Sequence, residues 1–205
     1  MLKIAKIEST LRGESPKSGI PTVVLELDEA GKVTDLFELA DILHQGVGEV
    51  ITITGKPFRQ LKDLCELITK IGNKNVIIET SGRMTDLDLD RTILIPLVDK
   101  TTLVIKPNKE HLNHDNYRWM RNYRFSNGYY KFEWQGSERD TQLHINTFFD
   151  ITNIDMFKAA KYSRIIVMPS DVNGSFNKIE CRDVWNYCLT NELRYSGREH
   201  RRLFE

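Results

Sequence analysis

The apolar positions of this chain fall into short runs separated by amphipathic stretches. Two of those runs stand out. One is Glu49-Val50-Ile51-Thr52-Ile53-Thr54-Gly55-Lys56-Pro57 and the other is Val76-Ile77-Ile78-Glu79-Thr80-Ser81-Gly82. Between them Leu61, Leu64, Cys65, Ile68 and Ile71 recur at helical spacing. Two β-branched runs around one amphipathic helix predict a βαβ unit with parallel strands. Pro57 suits the first helical position and Gly72 a C-terminal stop. Each run ends in a small polar turn, which is where α/β folds place their sites. The turns at Gly55 and Thr80 are therefore expected to floor a pocket. Cys65 lies on the apolar stripe and reads as a core thiol.

The same pattern extends along the chain. Residues 1–8 alternate loosely, as a strand would. The Gly- and Pro-rich stretch from Leu11 to Pro21 reads as a loop. Thr22–Leu27 is a strand, and Asp28–Lys32 is a short polar turn. Thr34 is expected to cap a helix whose Leu36, Leu39, Ala40 and Leu43 share one face and which ends at Gly46-Val47-Gly48. Asp86-Leu87-Asp88-Leu89-Asp90 reads as a solvated turn or helix start, since it lacks the glycine and distal glutamate of an EF-hand loop. Leu103–Ile105 predicts a strand that ends at Lys106-Pro107-Asn108. His111 and His114 form a His-x-x-His pair with no evident third ligand, which argues against a metal site. Aromatics alternate along Tyr130-Lys131-Phe132-Glu133-Trp134, as on a strand with one buried face. For Tyr117, Arg118, Trp119, Arg121, Tyr123, Arg124 and Phe125, core packing and a stacking or protein-binding surface are both open. A short helix is expected at Met156, Phe157 and Ala160, then a strand over Arg164–Met168. A last helix over residues 177–190 has Ile179, Val184, Tyr187 and Cys188 as core candidates.

Composition narrows the function classes. The chain has 205 residues, enough for one domain (1–205) with a real core. Its 29 basic and 29 acidic residues cancel, so general affinity for nucleic acid or an anionic membrane is not expected. No apolar run approaches the roughly 20 residues of a membrane helix, and residues 1–6 lack the apolar stretch of a signal peptide. Three scattered cysteines suit reduced thiols in a cytoplasmic protein. The basic tail from Leu193 to Glu205 suits either an anion grip or plain solvation.

Strand ends that alternate with helices fit an α/β fold, a partial (β/α) barrel with a mostly parallel sheet and helices outside. At this point the chain resembles the 7-carboxy-7-deazaguanine synthase family, radical S-adenosylmethionine (SAM) enzymes of deazapurine synthesis. That family opens with Gln-Gly-Glu-Gly, then Gly, Pro and a strand; here Arg12-Gly13-Glu14-Ser15 precedes Gly19, Pro21 and Val23-Val24-Leu25. Its Gly-Gly-Glu-Pro turn is matched by Thr54-Gly55-Lys56-Pro57, and its Glu-Thr-Asn-Gly turn by Glu79-Thr80-Ser81-Gly82. Its Ser-Pro-Lys turn corresponds to Ile105-Lys106-Pro107, and its closing Arg-Leu-Ser-x-Gln-x-His-Lys to Arg194–Arg201.

The departures change the implied chemistry. The family carries three clustered cysteines after its first strand, which hold a [4Fe–4S] cluster that reduces SAM. Here that place holds only the turn from Asp28 to Lys32, and no cysteine precedes Cys65. Cys65, Cys181 and Cys188 lack the spacing of a cluster site. The turn glutamate that contacts the SAM ammonium is replaced by Lys56. Two unit charges at ~4 Å exchange about 4 kcal/mol at an effective dielectric near 20, so the reversal opposes SAM binding. The loop Gln is Arg12, the strand-end Arg is Glu26 and the tail Gln is Arg198. Such charge changes fit a recast site or new ion pairs, for example Glu26 with Lys56.

The resemblance with these departures implies a pseudoenzyme that needs no cofactor, has no catalytic residue or metal site, and acts by binding. A protein partner is expected first, such as an enzyme of pterin, folate or deazapurine metabolism. An iron-independent enzyme or binding protein for a pterin- or deazapurine-like heterocycle is the alternative. For that ligand the candidate residues are Arg12, Glu14, Lys56, Glu79, Thr80, Ser81, Lys106, Arg198 and His200. Arginine suits a carboxylate and glutamate an amino-pyrimidinone edge, while His200 suits either proton transfer or packing. A homodimer stays open, and a compact altered copy of a metabolic enzyme suits a phage accessory protein.

Overall fold

The structure is a computed structural model that describes residues 1–11, 20–46, 50–72, 75–82, 97, 100–117, 119–120, 128–170 and 177–197. The described strands are β1 (Leu2–Leu11), β2 (Pro21–Leu27), β3 (Lys32–Thr34), β4 (Val50–Gly55), β5 (Asn75–Thr80), β6 (Thr102–Ile105), β7 (Gly128–Glu133), β8 (Ile165–Met168) and β9 (Arg194–Tyr195). They form one sheet in the order β3-β1-β2-β4-β5-β6-β7-β8-β9. β1 pairs antiparallel with β2 and β3, and every pairing from β2 to β9 is parallel. The described helices are α1 (Leu36–Gln45), α2 (Leu61–Ile71), α3 (His114–Tyr117), α4 (Glu138–Thr152), α5 (Met156–Lys161) and α6 (Lys178–Thr190). This is the partial (β/α) barrel with outer helices that the pattern predicts.

Alternation along the strands sorts residues onto two faces. Leu25, Ile53, Ile78, Leu103, Phe132 and Val167 face the helices and join one large apolar core. Each such side chain contributes about 1.5–3 kcal/mol when fully buried. The other face starts apolar, at Val50, Ile77 and Val104 with Ile20 and Tyr129 against them. Towards the C-terminal strand ends it turns polar, and that change of character makes room for a site.

Local signals explain most boundaries. The α1 cap is Asp35, whose carboxylate accepts from the backbone N–H of Phe37 and Glu38; the expected cap, Thr34, ends β3. Both are good capping types, and the chain uses the second. Pro57 opens a 3₁₀ turn over Pro57–Gln60, and α2 itself begins at Leu61. Leu67 joins Leu64, Ile68 and Ile71 in the core, while Leu61 and Cys65 pack against it half-buried. Gly72 ends α2 at φ 65° in open space. β1 runs three residues beyond the expected Glu8, to Leu11. The stretch from Asp86 to Asp90 lies outside the described residues.

Two departures matter more. α4, to which the apolar pattern assigns no element, is the longest described helix and packs Ile145, Phe148 and Phe149 against the sheet. On α6, Val184, Tyr187 and Cys188 are buried as expected, but Ile179 is 66% exposed. Ile179 sits in the first turn, beyond the reach of the sheet.

Candidate ligand pocket

A cavity of ≈ 640 Å³ opens at the C-terminal ends of β4, β5, β6 and β7. Thr54 and Gly55 supply its edge from β4, and Glu79, Thr80 and Ser81 from β5. Lys106 to Glu110 follow β6, Glu133 and Gln135 come from the end of β7, and His144 from α4. The two turns singled out in the sequence thus do border one open cavity.

Backbone hydrogen bonds fix these strand ends. The Lys56 N–H donates to Leu27 O at 2.9 Å and the Lys106 N–H to Thr80 O at 2.8 Å. Gly55 has φ 82°, and an added Cβ there would overlap the Leu27 carbonyl. Only glycine accepts both conditions cheaply. Beyond β5 the Gly82 N–H donates to Thr80 Oγ1 at 3.3 Å. Tyr117 Oη donates to Ser81 O at 3.1 Å and Trp119 Nε1 to Gly82 O at 2.8 Å. Tyr117 and Trp119 are buried, so these two aromatics brace the turn from within the core. Arg118, Arg121, Tyr123, Arg124 and Phe125 lie outside the described residues.

Two of the pocket's carboxylates, Glu79 and Glu133, are paired with lysines. Lys131 Nζ lies 2.6 Å from Glu79 Oε1, with the lysine side chain 1% exposed. Lys106 Nζ lies 2.7 Å from Glu133 Oε1. Three carboxylates and two lysines line the cavity, and Lys131 supplies a third cation behind Glu79. Lys56 sits outside the lining and pairs with Asp28 at 3.6 Å rather than with Glu26. The Ala30 N–H, then burial opposing it and the Lys56 charge assisting, hold the Asp28 carboxyl below its usual range.

His144 is among the lining residues that sequence reasoning missed, with Glu133 and Gln135. It is 3% exposed, and both ring nitrogens are buried without a hydrogen-bond partner among the described residues. Its ring meets Phe132 edge-on at 5.2 Å. Burial first, with Lys109 assisting and Glu133 opposing, lowers its pKa to about 4, so the ring is neutral at pH 7. A buried polar group left unpaired costs about 1–3 kcal/mol. No motif marks this histidine, and only the Phe148 four residues on hints that its face is inward.

Of the sequence-derived candidates, Glu79, Thr80, Ser81 and Lys106 line the cavity together. Arg12, Glu14, Arg198 and His200 lie outside the described residues. No group of three or more His, Cys, Asp or Glu able to hold a metal occurs among the described residues, and His111 and His114 form none.

The architecture resembles that of QueE from Escherichia coli. Its crystal structure matches at a TM-score of 0.60 and 18% identity, over 96% of this chain and 93% of that one. The likeness shows a shared fold. No protein-family model matches the chain, and no curated protein matches it.

The family that the sequence resembles holds an iron–sulfur cluster, and the described residues do not fit one. All three cysteines are described, and none lines the cavity. Cys65 is on α2 and Cys181 and Cys188 are on α6, in the outer helix layer. Burial raises the Cys65 pKa and pushes Cys188 up to about 12, whereas a cluster ligand must be a thiolate. The Asp28–Gly31 turn between β2 and β3 is closed by Gly31 N–H donating to Asp28 O at 2.9 Å. A Cβ at Gly31 would overlap the Ile4 backbone, so this turn is packed directly on β1. Among the described residues, no helix is long and apolar enough to cross a membrane.

Proposed function

We propose that this chain is a pseudoenzyme on a QueE-like scaffold that acts by binding, and that the occupant of its pocket is a small heterocycle of pterin or deazapurine type. The observation that carries the first half is the placement of every cysteine away from the strand-end cavity. A protein fold cannot supply SAM-reducing electrons from its own side chains. The second half rests on the cavity itself, which is open and within the roughly 300–1,000 Å³ of ligand pockets. Iron and sulfide analysis of anaerobically purified protein is expected to find neither; stoichiometric iron and sulfide overturns the reading. Calorimetry with pterins, deazapurines and SAM is expected to give heat with a heterocycle and none with SAM. Binding to SAM alone reverses that conclusion.

A protein partner is the second reading, and a separate feature favours it. Trp185 and Leu189, four residues apart on α6, are 54% and 71% exposed, a pair of large apolar side chains on one helical surface. An enzyme of pterin, folate or deazapurine metabolism is the partner that the resemblance suggests. Pull-down with the wild-type chain against Trp185→Ala with Leu189→Ala separates specific capture from none; an identical protein set from both removes this reading.

A further inference from the structure

We infer that His144 is a recognition residue of the pocket, and that one of its ring nitrogens accepts a hydrogen bond from an N–H on the edge of a neutral ligand. This rests on the heterocycle-binding reading and names the atoms that select the ligand.

The argument begins from the two ring nitrogens. They are buried in the wall of the cavity and have no hydrogen-bond partner among the described residues. Native proteins pair nearly all such groups, so an orphan that lines a cavity points to something that enters the cavity. A neutral imidazole offers one donor and one acceptor. The two point away from each other across the ring, so one flat ligand edge meets one of them, and a lactam or carboxamide N–H suits the acceptor nitrogen. An anionic group suits the position less well. Burial keeps the ring uncharged, and of the two lysines that line the cavity Lys106 is already engaged by Glu133 at 2.7 Å.

The surroundings support a flat occupant. Phe132 fixes the imidazole plane by edge contact, at an interplanar angle of 90°. Gln135 is held by its Nε2, which donates to Glu133 O at 2.9 Å, and by its backbone N–H, which donates to Thr141 Oγ1 at 3.0 Å. The wall beside His144 is therefore braced before any ligand arrives, which lowers the ordering cost of binding.

The test uses the full chain and two probes, pterin and its N3-methyl derivative, in which the lactam N–H is blocked. Wild-type protein is expected to bind pterin at least about tenfold more tightly than the methylated probe, the equivalent of one strong hydrogen bond. His144→Phe keeps a ring but removes both polar atoms; it is expected to bind pterin about tenfold or more weakly and to lose the discrimination. His144→Gln keeps a donor and an acceptor and is expected to restore part of both. A wild-type chain that prefers pterin with a His144→Phe variant that prefers it equally overturns the role of His144 and leaves the pocket reading standing. A wild-type chain that binds neither probe nor a deazapurine overturns the pocket reading, and this inference with it. If His144→Phe does not fold, nitrogen NMR of the wild-type imidazole decides. Pterin is expected to shift the resonance of the acceptor ring nitrogen, and unmoved resonances overturn the inference.

Discussion

Tyr130 and Phe132 leave β7 on the helix side, where they meet Phe148 and Phe149, and Trp134 just beyond the strand meets Tyr187. Lys131 and Glu133 leave the same strand on the other side, where they meet Glu79 and Lys106. The first face is built from apolar contacts that need only shape. The second is built from charges that need partners. Of the two pairs beside the open cavity, Lys131 with Glu79 is the buried one, so removing either partner strands a charge.

Truncating the apolar face should have the largest effect. Phe132→Ala removes a side chain that is fully buried and meets His144, Phe148 and Phe149. It is expected to cost about 4 kcal/mol in urea unfolding, as large-to-small core changes do. A loss below about 1 kcal/mol would mean that this face is not the structural one.

On the polar face the expected cost is slightly smaller but has a different signature. Glu79→Gln leaves Lys131 buried without its carboxylate and is expected to cost about 3 kcal/mol. Replacing both, with Glu79→Leu and Lys131→Met, should recover most of that loss, because a buried pair often equals an apolar one in stability. Calorimetric melting of the three proteins checks this. If the double variant is as unstable as the single, the pair holds the sheet together in a way that the apolar face does not.

These two faces also differ in how far they could be read beforehand. The βαβ unit was legible because Ile51, Ile53, Val76 and Ile78 are apolar and α2 carries its stripe at regular spacing. α4 was not, because its buried face includes Thr141, His144 and Thr152 among the aromatics. Its start did carry a signal: Ser137 Oγ accepts from the Asp140 N–H at 3.1 Å and donates to Asp140 Oδ2 at 2.8 Å, a local form of the capping box. Lys131 could not be recognised as buried, since an alternating lysine looks solvent-facing until its partner 52 residues away is placed. The turns at Gly55 and Thr80 were legible as a site because their strands end there. His144 was not, because an orphaned nitrogen is a property of three-dimensional surroundings.

Acid should sharpen the contrast next. The His144 pKa falls from 6.5 to about 4 on folding, chiefly by burial, with Lys109 and Glu133 as the charged neighbours. Between those values the unfolded chain binds the proton more readily, so this stabilisation is complete above about pH 6.5 and is lost as pH falls towards about 4. The loss should reach about 2 kcal/mol by about pH 5. His144→Gln should remove this component from the pH profile of urea unfolding while leaving the carboxylate-dependent loss at lower pH. An unchanged profile would mean that His144 protonates without penalty.

The smallest effect is expected at Lys56, where the chain carries a charge opposite to that of the turn glutamate in the family its sequence resembles. Lys56 is 53% exposed and its partner Asp28 38% exposed, at 3.6 Å, a geometry in which ion pairs contribute about 0–1 kcal/mol. Lys56→Glu should therefore shift the unfolding midpoint very little. It places a carboxylate where the sequence resemblance implies a SAM-contacting glutamate, yet calorimetry is expected to show no SAM binding. One restored charge at an exposed turn does not supply thiolates, and Cys65, Cys181 and Cys188 stay in the outer helix layer in that variant. If Lys56→Glu alone did bring SAM binding, the paired charges of the inner face would be remnants of an active centre rather than the walls of a different site.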